Sequence, residues 1–167
     1  DDDVGINIKS DSNNVTVEYC NIHSVAQGKV GANGAGIYAE TSTYDPLVAP
    51  QNLVIRYNLI HDNGVRGIGF KNKRPLSWDV SIYGNILWDN GRTPTGSSSN
   101  ISFGGDDWGS SVFNIYNNTM SIDAAVANSS YPHSVVLGTG STNSDGMTGT
   151  PTVNFKNNII YQSNCDA

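Results

Sequence analysis

The sequence has few cysteines, few basic residues and no long apolar run, and each shortage excludes a class of protein. Its two cysteines, Cys20 and Cys165, form neither a zinc motif nor a disulfide framework. Nine Lys and Arg against 15 Asp and Glu give a net charge of −6, whereas nucleic acids and anionic lipids select basic surfaces. No apolar run approaches the roughly 18 residues of a membrane span. We therefore expect no nucleic-acid partner and no membrane span.

Glycine is abundant, with 18 copies, and Asn, Ser and Thr are frequent. This turn-rich, lysine-poor composition is typical of extracellular β proteins and predicts a secreted or cell-surface location. The chain of 167 residues is 37% hydrophobic, which is enough to bury the core of one domain.

One short phrase recurs along the chain. Residues 52–64 read NLVIRYNLIHDNG, and 27 positions later residues 79–91 read DVSIYGNILWDNG. The shared motif is an apolar residue, two positions, an Asn, one position and an apolar residue. Its central positions are Asn58, Asn85, Asn118 and Asn158, with Cys20 in a fifth copy.

A second strand-like segment recurs between these copies. Its central apolar residues, separated by 31, 31, 33 and 34 positions, are Ile6, Ile37, Ile68, Ile101 and Val135. Three short strands in each repeat of about 30 residues, without helical periodicity, predict a solenoid in which each lap of chain is one rung.

The recurring Asn is predicted to point inward at the bend between the second and third strands. Side-chain amides stacked at the ~4.8 Å strand spacing can bond to one another along the axis. A buried amide without partners would cost ~1 to 3 kcal/mol, so such a column is favourable only when it is repeated. Cys20 is predicted to end this column as a small buried thiol.

With this internal Asn ladder, residues 4–164 resemble a right-handed parallel β-helix of the pectate lyase-like superfamily, with about five rungs. The handedness comes from the resemblance alone. We expect one all-β domain over residues 1–167 that is a segment of a longer chain, because solenoids need caps on their terminal layers. The rest of the parent chain or a neighbouring subunit is then the partner at the ends. A β-sandwich or jelly roll is the alternative, but it has no reason to repeat the same triplet.

Function is sought on the outer face of the first strands, since the inside is scaffold. Strand alternation sends Tyr38 and Glu40 outward. The outward columns are Asn7, Tyr38, Gly69, Ser102, Val136 and Lys9, Glu40, Lys71, Gly104, Gly138. A third column is small throughout and predicts a shallow trough: Gly5, Gly36, Gly67, Asn100 and Ser134. The residues predicted to flank it are Arg66, Arg74, Asp106, Asp107, Trp108 and His133.

The resemblance implies that this groove holds an acidic polysaccharide. Lyases of the superfamily use Lys or Arg as a base, which assigns Lys71 or Arg74 to proton abstraction, Arg66 to neutralising the uronate carboxylate and Glu40 to holding Lys71. Substrate-binding roles fall to Tyr38, Arg66, Trp108 and His133. Calcium is the candidate cofactor, although no ligands for it are assigned. A purely structural interpretation stays open, in which Lys9, Glu40 and Lys71 form a ladder of opposite charges.

The segment GGDDWG also resembles the Asp pair of polygalacturonases. Asp106 or Asp107 would face Glu40 across two rungs, about 9.5 Å, the upper limit for an inverting glycosidase. The Asn-Thr-Asp and Gly-His-Gly motifs of those enzymes are absent, and a tight turn explains GGDD equally well.

Outward rings are predicted on the third strands at His23, His61, Trp88 and Tyr161. They suit a sugar platform or surface stacking that fixes the strand register. His23 and His61 lack a third ligand, so no metal is assigned. Two functions remain open: a polysaccharide lyase or glycoside hydrolase, and a non-catalytic structural or carbohydrate-binding solenoid of a surface adhesin or stalk.

Overall fold

The computed structural model describes residues 3–26, 34–41, 49–72, 76–92, 99–105, 108–123, 133–137 and 151–163. These residues form 15 strands and contain no helix. Sheet 1 contains β1 (Val4–Ile8), β4 (Ala35–Glu40), β7 (Arg66–Asn72), β10 (Ser99–Gly105) and β13 (His133–Leu137). Sheet 2 contains β2 (Thr16–Glu18), β5 (Leu53–Arg56), β8 (Asp79–Tyr83), β11 (Val112–Tyr116) and β14 (Thr152–Lys156). Sheet 3 contains β3 (Asn21–His23), β6 (Leu59–His61), β9 (Ile86–Trp88), β12 (Thr119–Asp123) and β15 (Ile159–Ser163).

Each strand pairs in parallel with its counterpart in the next lap of chain. In sheet 1, Ile37 pairs with both Ile6 and Ile68, and Ile101 pairs with both Ile68 and Val135. In sheet 2, each apolar residue that precedes the ladder position is likewise paired with its equivalents. The predicted five-rung parallel solenoid and its register are therefore confirmed.

The core lies inside the solenoid, where alternate residues of all three sheets meet. Ile37, Ile55 and Ile60, one from each sheet of the second rung, are fully buried. Removal of such apolar surface from water is the main favourable term in folding. Phe155 and Ile160 occupy equivalent inward positions in β14 and β15 but are 43% and 48% exposed, since these strands have a neighbour on one side only.

The predicted Asn ladder is present between sheets 2 and 3. Nδ2 of Asn58 donates to Oδ1 of Asn85, Asn85 donates to Asn118, and Asn118 donates to Asn158, each over 3.0 Å. Each amide also donates to a backbone carbonyl of the previous rung, over 2.9 Å. The backbone N–H of Cys20 donates to Asn58 Oδ1, so Cys20 ends the column as predicted, but its thiol is half-buried rather than buried.

A left-handed residue precedes each ladder position and turns the chain at the corner. These residues have φ values of 50 to 65° and are Tyr19, Tyr57, Gly84, Asn117 and Asn157. The corner after sheet 3 has the same geometry at Ser24, Asp62 and Asp89. A left-handed residue is costly for most side chains, so its recurrence shows that the corners are fixed by the surrounding ladder contacts.

Candidate functional site

The charged column on the outer face of sheet 1 has the predicted order. Glu40 and Lys71 are partners in the register of β4 and β7, so the structure brings them side by side. The Glu40 carboxylate forms an ion pair with Lys9, and only 9% of its side chain is exposed. Glu40 was predicted to hold Lys71, but here its carboxylate is engaged by the lysine of the preceding rung. Lys71 is exposed and forms no ion pair with any residue that the structure describes.

Arg66 and Tyr38 lie together on this face, one rung from each other. A Cβ atom built on Gly69 would lie 2.9 Å from Arg66 Cδ and 2.9 Å from Tyr38 Cδ2, so both side chains pack over that glycine. Burial lowers the pKa of the Arg66 guanidinium from its ordinary value, and the nearby Tyr38 phenol opposes that shift. Arg66 therefore supplies a partly desolvated positive charge over Gly69, two residues before Lys71 on the same strand.

Two residues with predicted substrate contacts are almost completely covered. Trp108 is 4% exposed and belongs to the core, with its ring centroid 5.4 Å from that of Phe113 and 6.1 Å from that of Trp78. Tyr38 is 2% exposed. Neither ring offers a face to a polymer in this conformation, and Trp108 stabilises the corner that follows sheet 1.

The remaining predicted residues lie apart from this group or outside the described residues. His133 is exposed and shares a column with Arg66, with Ser99 in the rung between them. Arg74, Asp106 and Asp107 lie outside the residues that the structure describes, so their predicted catalytic roles stay predictions. Among the described residues, no three His, Cys, Asp or Glu side chains cluster to hold a metal ion. Calcium as a cofactor therefore stays a prediction.

The predicted trough of small residues is wrong, because its glycines face a second buried Asn ladder. Asn63 Nδ2 donates to Asn90 Oδ1 and Asn90 Nδ2 donates to Asn100 Oδ1, both over 2.8 Å. A Cβ on Gly36 would lie 2.8 Å from Asn63 Nδ2, and one on Gly67 would lie 2.8 Å from Asn90 Nδ2. These glycines therefore make room for amides. The sequence signal was the DNG that ends both HDNG and WDNG.

The predicted rings on sheet 3 are stacked face to face. His61 lies between His23 and Trp88, with centroid distances of 5.0 and 3.9 Å and interplanar angles of 10 and 7°. The two faces of the His61 ring are thus covered by its neighbours, which leaves only the edge of that ring for a ligand. This part of the column fits stacking that fixes the strand register.

A tyrosine strip at the end of sheet 2 was not predicted. Tyr19 stacks on Tyr57, Tyr57 meets Tyr83 edge to face, and Tyr83 stacks on Tyr116. Arg56 lies over this strip, donates to the Tyr83 hydroxyl and pairs with Glu18. Hydrogen bonds to Tyr83 and Glu18 raise the pKa of Arg56. The recurrence of a tyrosine near the end of each sheet 2 strand in four successive rungs was the feature of the sequence that could have predicted this strip.

The architecture agrees with a comparison against known families. The model of a family described as right handed beta helix region matches residues 2–120. The chain belongs to this family. No curated protein and no solved structure matches it. The family gives the hand of the solenoid, and within this β-helix the described residues include no helix long and apolar enough to cross a membrane.

On the outside of this β-helix, sheet 1 and sheet 3 offer different chemistry. Sheet 1 presents cations beside a carboxylate that is already paired, an arrangement suited to binding an anion. Sheet 3 presents apolar side chains and rings. A general acid on sheet 1 would need a reachable carboxyl group, and Glu40 is covered and paired.

Proposed function

We propose that this β-helix is a carbohydrate-active protein of the pectate lyase-like type that holds an acidic polysaccharide along the outer face of sheet 1. The observation that carries the proposal is the charge arrangement of the Lys9, Glu40 and Lys71 column. Lys9 neutralises Glu40, so the exposed Lys71 is available to a ligand. Arg66 lies on the same strand, and its side chain reaches Gly69, two residues or about 6.6 Å before Lys71, close enough for two cations to serve neighbouring uronate carboxylates.

The chemistry that these residues favour is β-elimination rather than hydrolysis. In this reaction a base removes the proton next to the uronate carboxylate, a carbon–carbon double bond forms, and the bond to the leaving oxygen breaks as that oxygen takes up a proton from water. Arg66 is suited to neutralising the carboxylate, because guanidinium stays charged even when burial lowers its pKa. Lys71 is the candidate base, and it must act in its neutral form. Asp106 or Asp107 as a partner of Glu40 in hydrolysis is less favoured, because Glu40 is covered and ion-paired.

The second function, a carbohydrate-binding solenoid without catalysis, is favoured by the burial of Tyr38 and Trp108. It needs only the cations of sheet 1. Both functions agree with a secreted or cell-surface protein, which we also propose, since extracellular acidic polysaccharides are the ligands in each case.

The test is a panel of polygalacturonate, alginate and glycosaminoglycans, measured for binding by affinity electrophoresis and for ultraviolet absorbance of unsaturated uronate product. We expect one polymer to bind, and Lys71→Ala to weaken that binding by about tenfold, because a charge-assisted contact is lost. Lys156→Ala is the matched control, since it removes an exposed lysine from sheet 2.

The outcomes separate the alternatives. Product that disappears in Lys71→Ala establishes the lyase. Binding without product establishes the non-catalytic solenoid. An absence of binding to every polymer, or equal binding by the native chain and Lys71→Ala, contradicts the proposed site on sheet 1.

A further inference from the structure

Half of the exposed large apolar side chains of the described residues lie on one face. Four of them lie on the outer face of sheet 3: Leu59, Ile86, Ile159 and Tyr161, which are 40%, 46%, 64% and 64% exposed. Tyr19 and Tyr57 lie at the corner that precedes the sheet, and Phe155 and Ile160 are the inward residues of the last rung. Concentrated apolar exposure of this kind marks interaction surfaces.

The face is interrupted at one rung. In the register of sheet 3, Ser121 of β12 lies between Trp88 of β9 and Tyr161 of β15. Thr119 occupies the neighbouring outward position, between Ile86 and Ile159. The first two outward residues of β12 are therefore small and carry a hydroxyl, while the rungs on either side carry a large apolar residue at each of these two positions. The result is a slot that runs along β12.

The dimensions of the slot suit a single six-membered ring. Its walls are two strand spacings apart, about 9.6 Å between backbones. One ring stacked between two others needs roughly twice the shortest usual stacking distance, or about 9 Å. Along the strand, Thr119 and Ser121 are two residues apart, which gives a floor of about 6.6 Å. The stack of His23, His61 and Trp88 ends at this slot, so the second face of Trp88 is not covered by a ring of this chain among the described residues.

The chemistry of the slot indicates a sugar rather than an aromatic ligand. A pyranose has apolar C–H groups on its faces and hydroxyls on its rim, which match apolar walls and a floor of two hydroxyls. An aromatic ring would cover the Thr119 and Ser121 hydroxyls without offering them a hydrogen bond, which is unfavourable.

Acidic residues near the slot favour a neutral sugar. Asp89 follows Trp88 directly, and Asp123 lies two residues beyond Ser121. The two are adjacent, since the backbone N–H of Asp123 donates to Asp89 Oδ1 over 3.2 Å. A uronate carboxylate would be repelled there, and the chain as a whole carries a net charge of −6.

We propose that the slot formed by Ile86, Trp88, Thr119, Ser121, Ile159 and Tyr161 binds one neutral hexopyranose ring between Trp88 and Tyr161. The site lies on a different sheet from the polysaccharide face proposed above and does not depend on it. It would give this β-helix a second point of attachment to a glycan, through an unsubstituted sugar rather than an acidic one.

Tryptophan fluorescence tests the proposal directly. Trp78 and Trp108 are 1% and 4% exposed, so a ligand that quenches or shifts the solvent-sensitive emission reports on Trp88. The probes are methyl glucoside, methyl galactoside and methyl mannoside, each compared with the corresponding disaccharide, and glucuronate as the anionic counterpart. We expect one neutral glycoside to change the emission in a saturable way, and glucuronate to bind at least several-fold more weakly.

Two variants separate binding in the slot from other contacts. Ser121→Tyr fills the slot with a ring that continues the stack, so we expect a folded chain that no longer binds the sugar. Ser81→Tyr places the same side chain on the outer face of sheet 2 and should bind normally. Tyr161→Ala should weaken binding by about fivefold to tenfold. Lys156→Ala, which removes an exposed lysine from sheet 2, should leave the binding of the sugar unchanged.

The proposal is overturned if no neutral hexopyranoside changes the emission of the native chain. It is equally overturned if the Ser121→Tyr chain binds the sugar as tightly as the native chain, measured by saturation-transfer NMR.

Discussion

The two asparagine ladders of this β-helix are both columns of buried, hydrogen-bonded amides, but their asparagines come from different positions in the rungs. The first runs between sheets 2 and 3, and each of its four amides comes from the same place in its rung. The second runs beside sheet 1 and is composite. Asn63 and Asn90 come from the turn after sheet 3, whereas Asn100 comes from a strand of sheet 1. In a β-helix, the same interior position can therefore be filled by a side chain from a turn in one rung and by a side chain from a strand in the next.

The composite ladder explains the residues opposite it. Gly36 and Gly67 are glycine because a turn amide already fills the space that a side chain would take. In the next rung the same register position is Asn100, and its own amide completes the column. The first ladder therefore depends on repetition of one residue type, and the second depends on complementarity between a turn and a strand.

The largest expected effect comes from a break in the first ladder. Asn85→Ala removes the acceptor of the Asn58 amide and the donor to Asn118, and leaves both groups buried. We expect a loss of about 3 kcal/mol in the free energy of unfolding, measured by urea denaturation. Asn154→Ala is the control, since its bond to Asn114 lies half-buried on the outer face of sheet 2 and should be worth less than about 1 kcal/mol. Similar losses in both variants would contradict a buried, cooperative ladder.

The packing of the second ladder against Gly67 can be tested by adding a methyl group at that glycine. In Gly67→Ala, the new Cβ would lie 2.7 Å from the Asn100 carbonyl oxygen and 2.8 Å from Asn90 Nδ2. We expect a loss of about 2 kcal/mol, because the backbone and the amide cannot both move away. In Gly104→Ala the nearest atom would be 3.8 Å away, so this change on the same sheet should be nearly neutral. The thermal unfolding midpoints of the two variants should separate clearly, and equal midpoints would show that the Gly67 site is not filled by an amide.

The two ladders should also differ in their dependence on pH. Asp62 lies at the corner before Asn63, where burial raises its pKa but the hydrogen bond from His61 and the charge of Arg92 outweigh burial and lower it. A lowered pKa in the folded state gives stability that is present above the unfolded value, about 3.9, and is lost as the pH falls through the folded value. We expect Asp62→Asn to cost up to about 1 kcal/mol at neutral pH and less as the pH approaches 3.

Denaturation curves at several pH values measure this difference. Asp79→Asn removes the same charge from an exposed position in β8 that has no ion pair among the described residues, and is the control. A constant difference between the native chain and Asp62→Asn at all pH values would contradict the role given to the Asp62 carboxylate.

The smallest effect concerns the end of the first ladder. Cys20 already donates its backbone N–H to Asn58 Oδ1, and in Cys20→Asn a side-chain amide would be in position to donate to the same oxygen. We expect a gain of less than about 1 kcal/mol, because the new amide is half-buried and has a partner on one side only. Cys20→Ser controls for the loss of the thiol. A clear destabilisation by Asn alone would mean that the Cys20 position does not continue the column.

These differences explain what the sequence could and could not predict. The register followed from Ile37, Ile68 and Ile101, because a side-chain period of two leaves one alignment in which every inward residue is apolar. The second ladder was missed, since Asn90 and Asn100 occupy different places in their rungs and no fixed spacing connects them. In both ladders, the amides that bond to one another are decided by which backbone positions lie close together in the fold.

The candidate site was harder to predict for a similar reason. Glu40 is adjacent in register to lysines on both sides, and sequence alone does not decide which of them its carboxylate engages. Trp108 lies outside the strands, where the direction of a side chain depends on packing, and the aromatic core around Phe113 takes it inward. Positions within strands are fixed by periodicity, but pairing between exposed charges and the orientation of turn residues are not.

The central claim is that the chain coils around one axis and brings equivalent side chains into contact. Proton NMR of the side-chain amides tests it most directly. We predict nuclear Overhauser contacts from the Asn85 amide to those of both Asn58 and Asn118, with slow hydrogen exchange for all three. Rapid exchange of the Asn85 amide, or contacts from it to residues outside the ladder, would contradict the account.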